Sequence, residues 1–174
     1  KNLIHIKEDG SFRLNQDYFN YTTGLSMTNK KFHNLFGQMP RDSKKDKITQ
    51  FHMDIASSVQ KVIEEIILKI TNSLASEYNV PNLCLAGGVA LNCVANSKIL
   101  QTKYFKSIWI QPAAGDAGGS LGAALSVWYQ YLNKPRYINK KDSMKGSLLG
   151  PKFKQNDIQE SLLKDGGKFQ ILED

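Results

Sequence analysis

Several features of common protein classes are missing from this chain of 174 residues. Its two cysteines, Cys84 and Cys93, fit neither a zinc-site spacing nor a redox CxxC motif. We therefore expect two small buried side chains in a reducing compartment, the cytoplasm. Asp116 and several glycines interrupt the longest uncharged stretch, so no membrane-spanning segment is predicted. The chain begins at Lys1 without an initiator methionine or a signal-peptide pattern, and we expect it to be a piece of a longer protein.

Acidic residues are the scarcer charged type, with 16 Asp and Glu against 23 Lys and Arg, which gives a formal charge of +7. The excess lies in flanking segments; six basic and two acidic residues fall between Thr28 and Lys47. These basic residues do not recur along one face of a helix or strand, and such a distribution is typical of a solvated surface. Nucleic acid is therefore not the expected partner, although attraction of phosphate or RNA by these lysines stays open.

The order of the remaining patterns predicts an α/β fold. A hairpin is expected around Asp9-Gly10, and apolar residues at spacings of three and four predict a long helix at about 46–78. Two short apolar runs, 82–86 and 107–111, read as buried parallel strands, each followed by a helix. Helices and strands in alternation are typical of a layered α/β domain. We place one domain at 1–132, a polar linker at 133–146 and the start of another domain at 147–174.

The first strand runs into Gly87-Gly88 and then into a helix. Glycines permit close backbone approach, and the free N–H groups at a helix start attract anions. Gly87, Gly88 and Asn92, one turn into the helix, are therefore candidate nucleotide-binding residues. A tight turn that serves only helix packing is the alternative, and neither a P-loop lysine nor a G-x-G-x-x-G motif is present.

The second strand ends in another glycine-rich turn that contains Asp116, the only carboxylate between Glu77 and Asp142. An isolated carboxylate among glycines can ligate a metal, and it can equally cap the helix that begins there. Ligands of open α/β sheets bind at the carboxyl ends of the strands, so we expect the two turns to share one site.

Taken together, these blocks resemble the NodU/CmcH-type O-carbamoyltransferases. The resemblance is carried by LAGGVALNCVAN at 85–96, IQPAAGDAG at 110–118, FG at 36–37, PR at 40–41, HMDIASSVQ at 52–60 and LGP at 149–151. The resemblance covers nearly the whole chain, and it is specific because these blocks match in sequence and spacing.

The resemblance implies an actin/hexokinase-like (ribonuclease H-like) ATPase-type fold followed by a YrdC-like domain. It implies that ATP and carbamoyl phosphate form carbamoyl adenylate, whose carbamoyl group passes to a hydroxyl of a small acceptor, a sugar or natural product. Gly87, Gly88 and Asn92 would contact the adenylate, and Asp116 would ligate an iron-type divalent metal. The general base and the acceptor are not identified.

This chain departs from the family pattern in extent. The family's H-x-x-H pair of metal ligands is missing, since His5, His33 and His52 stand far apart, and His52 is expected to be an ordinary helix residue. The chain therefore resembles the second half of the ATPase-type domain plus the start of the YrdC-like domain. We expect the isolated fragment to be inactive. Its oligomeric state stays open, although surface left uncovered by the missing half could drive formation of homo-oligomers. A non-catalytic adenine-nucleotide-binding module and a tRNA-modifying relative remain alternatives.

Overall fold

A computed structural model describes residues 2–138 and 141–172. The chain is α/β and divides into two compact units, 1–124 and 125–174, which are described separately. The strands are β1 (Ile4–Ile6), β2 (Phe12–Leu14), β3 (Asn82–Leu85) and β4 (Ser107–Ile110). The helices are α1 (Lys30–Phe36), α2 (Gln50–Tyr78), α3 (Cys93–Thr102), α4 (Gly119–Ser126) and α5 (Gln155–Lys164).

The predicted hairpin is present, with β1 antiparallel to β2 and Ile4 opposite Leu14. Its turn is fixed by the Asp9 carboxylate, which accepts hydrogen bonds from the N–H and the hydroxyl of Ser11 at 2.9 and 2.7 Å. Gly10 has φ +83° and lies against α2: a Cβ there would stand 2.5 Å from the backbone nitrogen of Ile70. The turn therefore requires glycine for its backbone angle and for its contact with the helix.

The long helix α2 ends at Tyr78 as predicted, but it begins at Gln50 rather than near 46. Thr49 is extended, and its N–H donates to Nδ1 of His52 at 3.0 Å, which caps the helix start. Upstream, the Arg41 guanidinium donates to the Asp46 carbonyl at 2.8 Å and holds that residue in the preceding loop. The apolar periodicity could not show this start, because capping depends on these local hydrogen bonds.

Strands β3 and β4 are parallel, with Leu83 opposite Ile108 and Cys84 opposite Trp109. The inner face contributes to a core centred on Leu83, Ile99 and Phe105. The other face is open, since Cys84 is exposed and Trp109 is 50% exposed. Cys93 is exposed as well, so the prediction that both thiols are buried is wrong. Alternation along the strand turns Cys84 away from the core that holds Leu83.

In the second unit, no described residue between 125 and 172 is buried. After α4 the chain continues as a π-helical turn at Val127–Tyr131. The predicted linker and further domain stay predictions; 139–140 of the former and 173–174 of the latter lie outside the described residues. Among the described helices, none combines the length and apolar character needed to cross a bilayer.

Candidate functional site

The two glycine-rich turns lie side by side at the carboxyl ends of β3 and β4. The N–H of Gly87 donates to the carbonyl of Ala114 at 2.7 Å, which joins the turns directly. A Cβ built on Gly115 would be 3.8 Å from Leu91 and 4.0 Å from the Cα of Gly88. The parallel register of the strands therefore brings together the turns that the sequence analysis assigned to one site.

Gly87 takes a backbone conformation that L-residues rarely adopt, with φ 101° and ψ 163°. A Cβ on Gly87 or Gly88 would meet no atom within 4 Å, so the outer side of the turn is open. Within the described residues, the backbone N–H groups of Gly88, Val89, Asp116 and Ala117 have no hydrogen-bond acceptor. Adjacent free donors of this kind favour an anionic ligand such as a phosphate.

Asn92 lies at the start of α3 and not one turn inside a helix, because residues Gly88–Leu91 form a separate 3₁₀ turn. Its Oδ1 accepts from the Ala95 N–H at 3.1 Å and caps α3. Its amide also pairs with the side chain of Gln60 on α2: Asn92 Nδ2 donates to Gln60 Oε1 at 2.9 Å, and Gln60 Nε2 donates to Asn92 Oδ1 at 3.2 Å. Contact between Asn92 and a nucleotide stays a prediction.

Gln60, Glu64 and Lys98 are site residues that the sequence analysis missed. Gln60 Nε2 donates to Glu64 Oε1 at 2.9 Å, and Lys98 on α3 forms an ion pair with the other oxygen of Glu64. The Glu64 side chain is 8% exposed. Hydrogen bonds from Lys98 and then Gln60, with the positive charge of Lys98, hold the pKa of the Glu64 carboxyl below its usual value. A Gln and a Glu four residues apart, interrupting the apolar stripe of a long helix, are the signal that could have found them.

Asp116 is exposed at the start of a 3₁₀ turn, Asp116–Gly118, that leads into α4. Within the described residues, its carboxylate accepts no hydrogen bond. It also has no His, Cys, Asp or Glu neighbours there that would complete a group of three metal ligands. One carboxylate does not fit a metal site by itself, since divalent ions take several donors. A role for Asp116 as a ligand stays a prediction.

Three of the sequence blocks, FG at 36–37, PR at 40–41 and HMDIASSVQ at 52–60, contribute residues to one cleft at the start of α2. Phe36, Pro40, Arg41, Phe51 and His52 contribute to a cleft of about 170 Å³. The rings of Phe36 and Phe51 stand 6.3 Å apart in an edge-to-face arrangement. His52 lies in α2 and caps its start as described, which confirms the prediction that it is a helix residue.

Comparisons with known proteins add independent information. Residues 1–125 match the family described as the carbamoyltransferase N-terminus. An uncharacterized protein of Synechocystis sp. is 58% identical over 161 residues, which cover 92% of this chain and 26% of that protein.

Two nodulation proteins are also similar. NolNO of Sinorhizobium fredii is 33% identical over 124 residues, 71% of this chain and 18% of that protein. NolO of Bradyrhizobium diazoefficiens is 46% identical over 79 residues, 45% of this chain and 14% of that protein. The chain thus spans about a quarter or less of the length of these curated relatives. The family match and these similarities confirm the resemblance seen in the sequence: the chain belongs to the NodU-type carbamoyltransferase family.

Proposed function

We propose that this chain is part of an O-carbamoyltransferase that uses ATP and carbamoyl phosphate and transfers carbamoyl from carbamoyl adenylate to a hydroxyl of a sugar or natural product. Family membership supports carbamoyl transfer in general. The use of ATP, the carbamoyl adenylate intermediate and the class of acceptor go beyond family membership and are what we propose here.

One observation carries the nucleotide part: the two adjoining turns include the backbone N–H groups of Gly88, Val89, Asp116 and Ala117, which have no acceptor among the described residues. They are joined by the hydrogen bond from Gly87 to Ala114, so a phosphate could reach donors from both turns. The open space beside Gly87 and Gly88 allows the close approach that such contacts need.

In the transfer step, the acceptor oxygen forms a bond to the carbamoyl carbon while the bond to the adenylate phosphate breaks. The phosphate leaves with additional negative charge, and N–H donors held in place by β3 and β4 would stabilise that charge. The proton of the acceptor hydroxyl must pass to a base. The described residues do not identify this base, and we expect it in another part of the full-length protein.

Asp116 would contribute one carboxylate to an iron-type divalent metal, and the remaining donors would have to come from outside the described residues. The residues present do not form that site, so no step of the proposed reaction is derived through a metal. We further propose that residues 1–132 form half of an actin/hexokinase-like fold, in a cytoplasmic protein able to form homo-oligomers.

The experiment uses the full-length protein with ATP, carbamoyl phosphate and a surrogate hydroxyl acceptor. Pyrophosphate release and carbamoyl transfer are followed in the same tube for the wild type, Asp116→Ala and the control Glu160→Ala, an exposed carboxylate of α5. We expect transfer to fall at least tenfold in Asp116→Ala and to be unchanged in Glu160→Ala, with the same melting temperature for all three.

Transfer that is unaffected by Asp116→Ala would remove this residue from the active site. A wild-type protein that binds ATP but transfers nothing would instead support the non-catalytic adenine-nucleotide-binding module. Salt-sensitive tRNA binding would support the tRNA-modifying relative, because neutralised phosphates make affinity depend steeply on salt.

A further inference from the structure

A continuous set of polar contacts begins at Asn92, which follows the Gly87-Gly88 turn in the chain. We name it the polar relay: Asn92 pairs with Gln60, Gln60 donates to Glu64, and Glu64 forms an ion pair with Lys98. It joins α2 to the start and the middle of α3. Because Glu64 is buried, its carboxylate is shielded from water and relies on these partners.

The two ends of the polar relay determine how both amides are oriented. The ionised carboxylate of Glu64 only accepts hydrogen bonds, so the Gln60 amino group must face it and donate. At the other end the Ala95 N–H only donates, so Asn92 must present its oxygen there. With both amides oriented in this way, each hydrogen bond between them joins a donor to an acceptor: Asn92 Nδ2 donates to Gln60 Oε1, and Gln60 Nε2 donates to Asn92 Oδ1.

This arrangement limits what Asn92 can offer a ligand. Its oxygen already accepts two hydrogen bonds, from Ala95 and Gln60. Its amino group donates one to Gln60, which leaves one N–H without a partner among the described residues. An amide oxygen has two acceptor positions and the amino group has two donors. Asn92 can therefore act toward a ligand as a donor of a single hydrogen bond.

We propose that Gln60 is a positioning residue of the nucleotide site, which fixes the Asn92 amide so that its remaining N–H donates to an acceptor oxygen of the bound nucleotide. This inference rests on the proposed function, since it requires that nucleotide binds at the Gly87-Gly88 turn. Gln60 acts through Asn92, and Glu64 acts through Gln60 by fixing its orientation.

The test is a double-mutant cycle in the full-length protein, read as the Kd for ATP by calorimetry. The variants are Gln60→Met, Asn92→Ser and the double variant; serine keeps a capping oxygen for α3 while removing the amide. We expect each single variant to raise the Kd about tenfold, the range of one hydrogen bond. The double variant should be no weaker than Asn92→Ser, because Gln60 has no effect once the amide is gone.

Gln50→Met is the matched control, since Gln50 donates to Asp54 four residues later on the same helix, but at an exposed position away from Asn92. It should leave the Kd unchanged. A Gln60→Met variant with wild-type affinity overturns the inference, as does a double variant whose loss is the product of the single losses. If the wild-type protein binds ATP and transfers carbamoyl, either of these two variant results overturns the inference about Gln60 and leaves the proposed function standing. Wild-type protein that binds no ATP overturns the proposed function together with it.

Discussion

Gly87 and Gly88 are adjacent, but we expect their substitution by alanine to have different effects on stability and on ATP binding. Gly87 has φ 101°, whereas a Cβ at Gly88 would meet no atom within 4 Å. We expect Gly87→Ala to destabilise the protein by about 1–2 kcal/mol through backbone strain. Gly88→Ala should change stability by less than about 0.5 kcal/mol, yet weaken ATP binding because the methyl group occupies the open side of the turn.

Chemical denaturation and ATP calorimetry on both variants of the full-length protein separate these effects. ATP binding that survives Gly88→Ala unchanged would show that no ligand approaches this turn closely. That result would favour the alternative in which the two glycines only form a tight turn between β3 and α3.

Glu64 links the stability of the same region to pH. Its folded-state pKa is lowered, chiefly by the hydrogen bond from Lys98. Its ion pair therefore contributes stability that is present above the unfolded pKa of about 4.3 and lost as the pH falls through the lowered folded-state value. We expect Glu64→Gln to be less stable than the wild type at neutral pH, with the difference shrinking in acid. Urea midpoints measured between neutral and acidic pH test this.

The neighbouring Glu65 provides the control for Glu64. Its side chain is 53% exposed and pairs with Lys69 at 3.3 Å. An exposed pair contributes little to stability, so Glu65→Gln should show a small difference at every pH. A Glu64→Gln difference that does not depend on pH would contradict the role given to the ionised carboxylate.

Among the single residues of the site, the glycines were predictable from sequence and the polar relay was not. Gly87 and Gly88 follow a recognisable strand directly, so their position in a turn is a local property. Gln60 and Asn92 are 32 residues apart, and their hydrogen bonds exist only because α2 packs beside α3. The spacing of residues along the chain therefore does not predict that these two side chains pair.

At the scale of elements, the contact between the hairpin turn and α2 depends on Gly10. A Cβ at this residue would lie 2.5 Å from Ile70 N and 2.9 Å from Ile66 O, both backbone atoms that cannot move aside alone. We expect Gly10→Ala to cost about 3 kcal/mol, combining backbone strain with overpacking. Gly37→Ala is the control: φ is +67° and no atom lies within 4 Å, so strain alone should cost about 1 kcal/mol. Equal losses in denaturation would argue against hairpin packing on α2.

The inner face of α3 anchors the helix to the sheet. Ile99 is 1% exposed and packs with Leu83 and Phe105, whereas its neighbour Leu100 is 56% exposed. We expect Ile99→Ala to cost about 2–5 kcal/mol and Leu100→Ala less than about 0.5 kcal/mol, measured by urea unfolding. A comparable loss for Leu100→Ala would mean that this face is covered in the full-length protein.

At the scale of the whole molecule, the chain presents part of a site. Its described residues supply the two turns and one isolated carboxylate, without a group of three metal-ligating side chains. We therefore expect the 174-residue chain alone to transfer no carbamoyl when assayed beside the full-length protein with ATP and carbamoyl phosphate. Turnover by the isolated chain at the full-length rate would show that the general base lies within these residues.

Local sequence patterns were enough to predict the α/β class, the hairpin, the end of α2 and the two glycine-rich turns, because each depends on periodicity or on residues adjacent in the chain. The start of α2 at Gln50 depends on local hydrogen bonds that the apolar periodicity does not show. The position of Cys84 on the face away from the core and the pairing of Asn92 with Gln60 were found only in the folded structure. These depend on which hydrogen-bond partners and which sheet face become available when distant segments pack. Burial and pairing are properties of that packing, and local patterns therefore leave them undetermined.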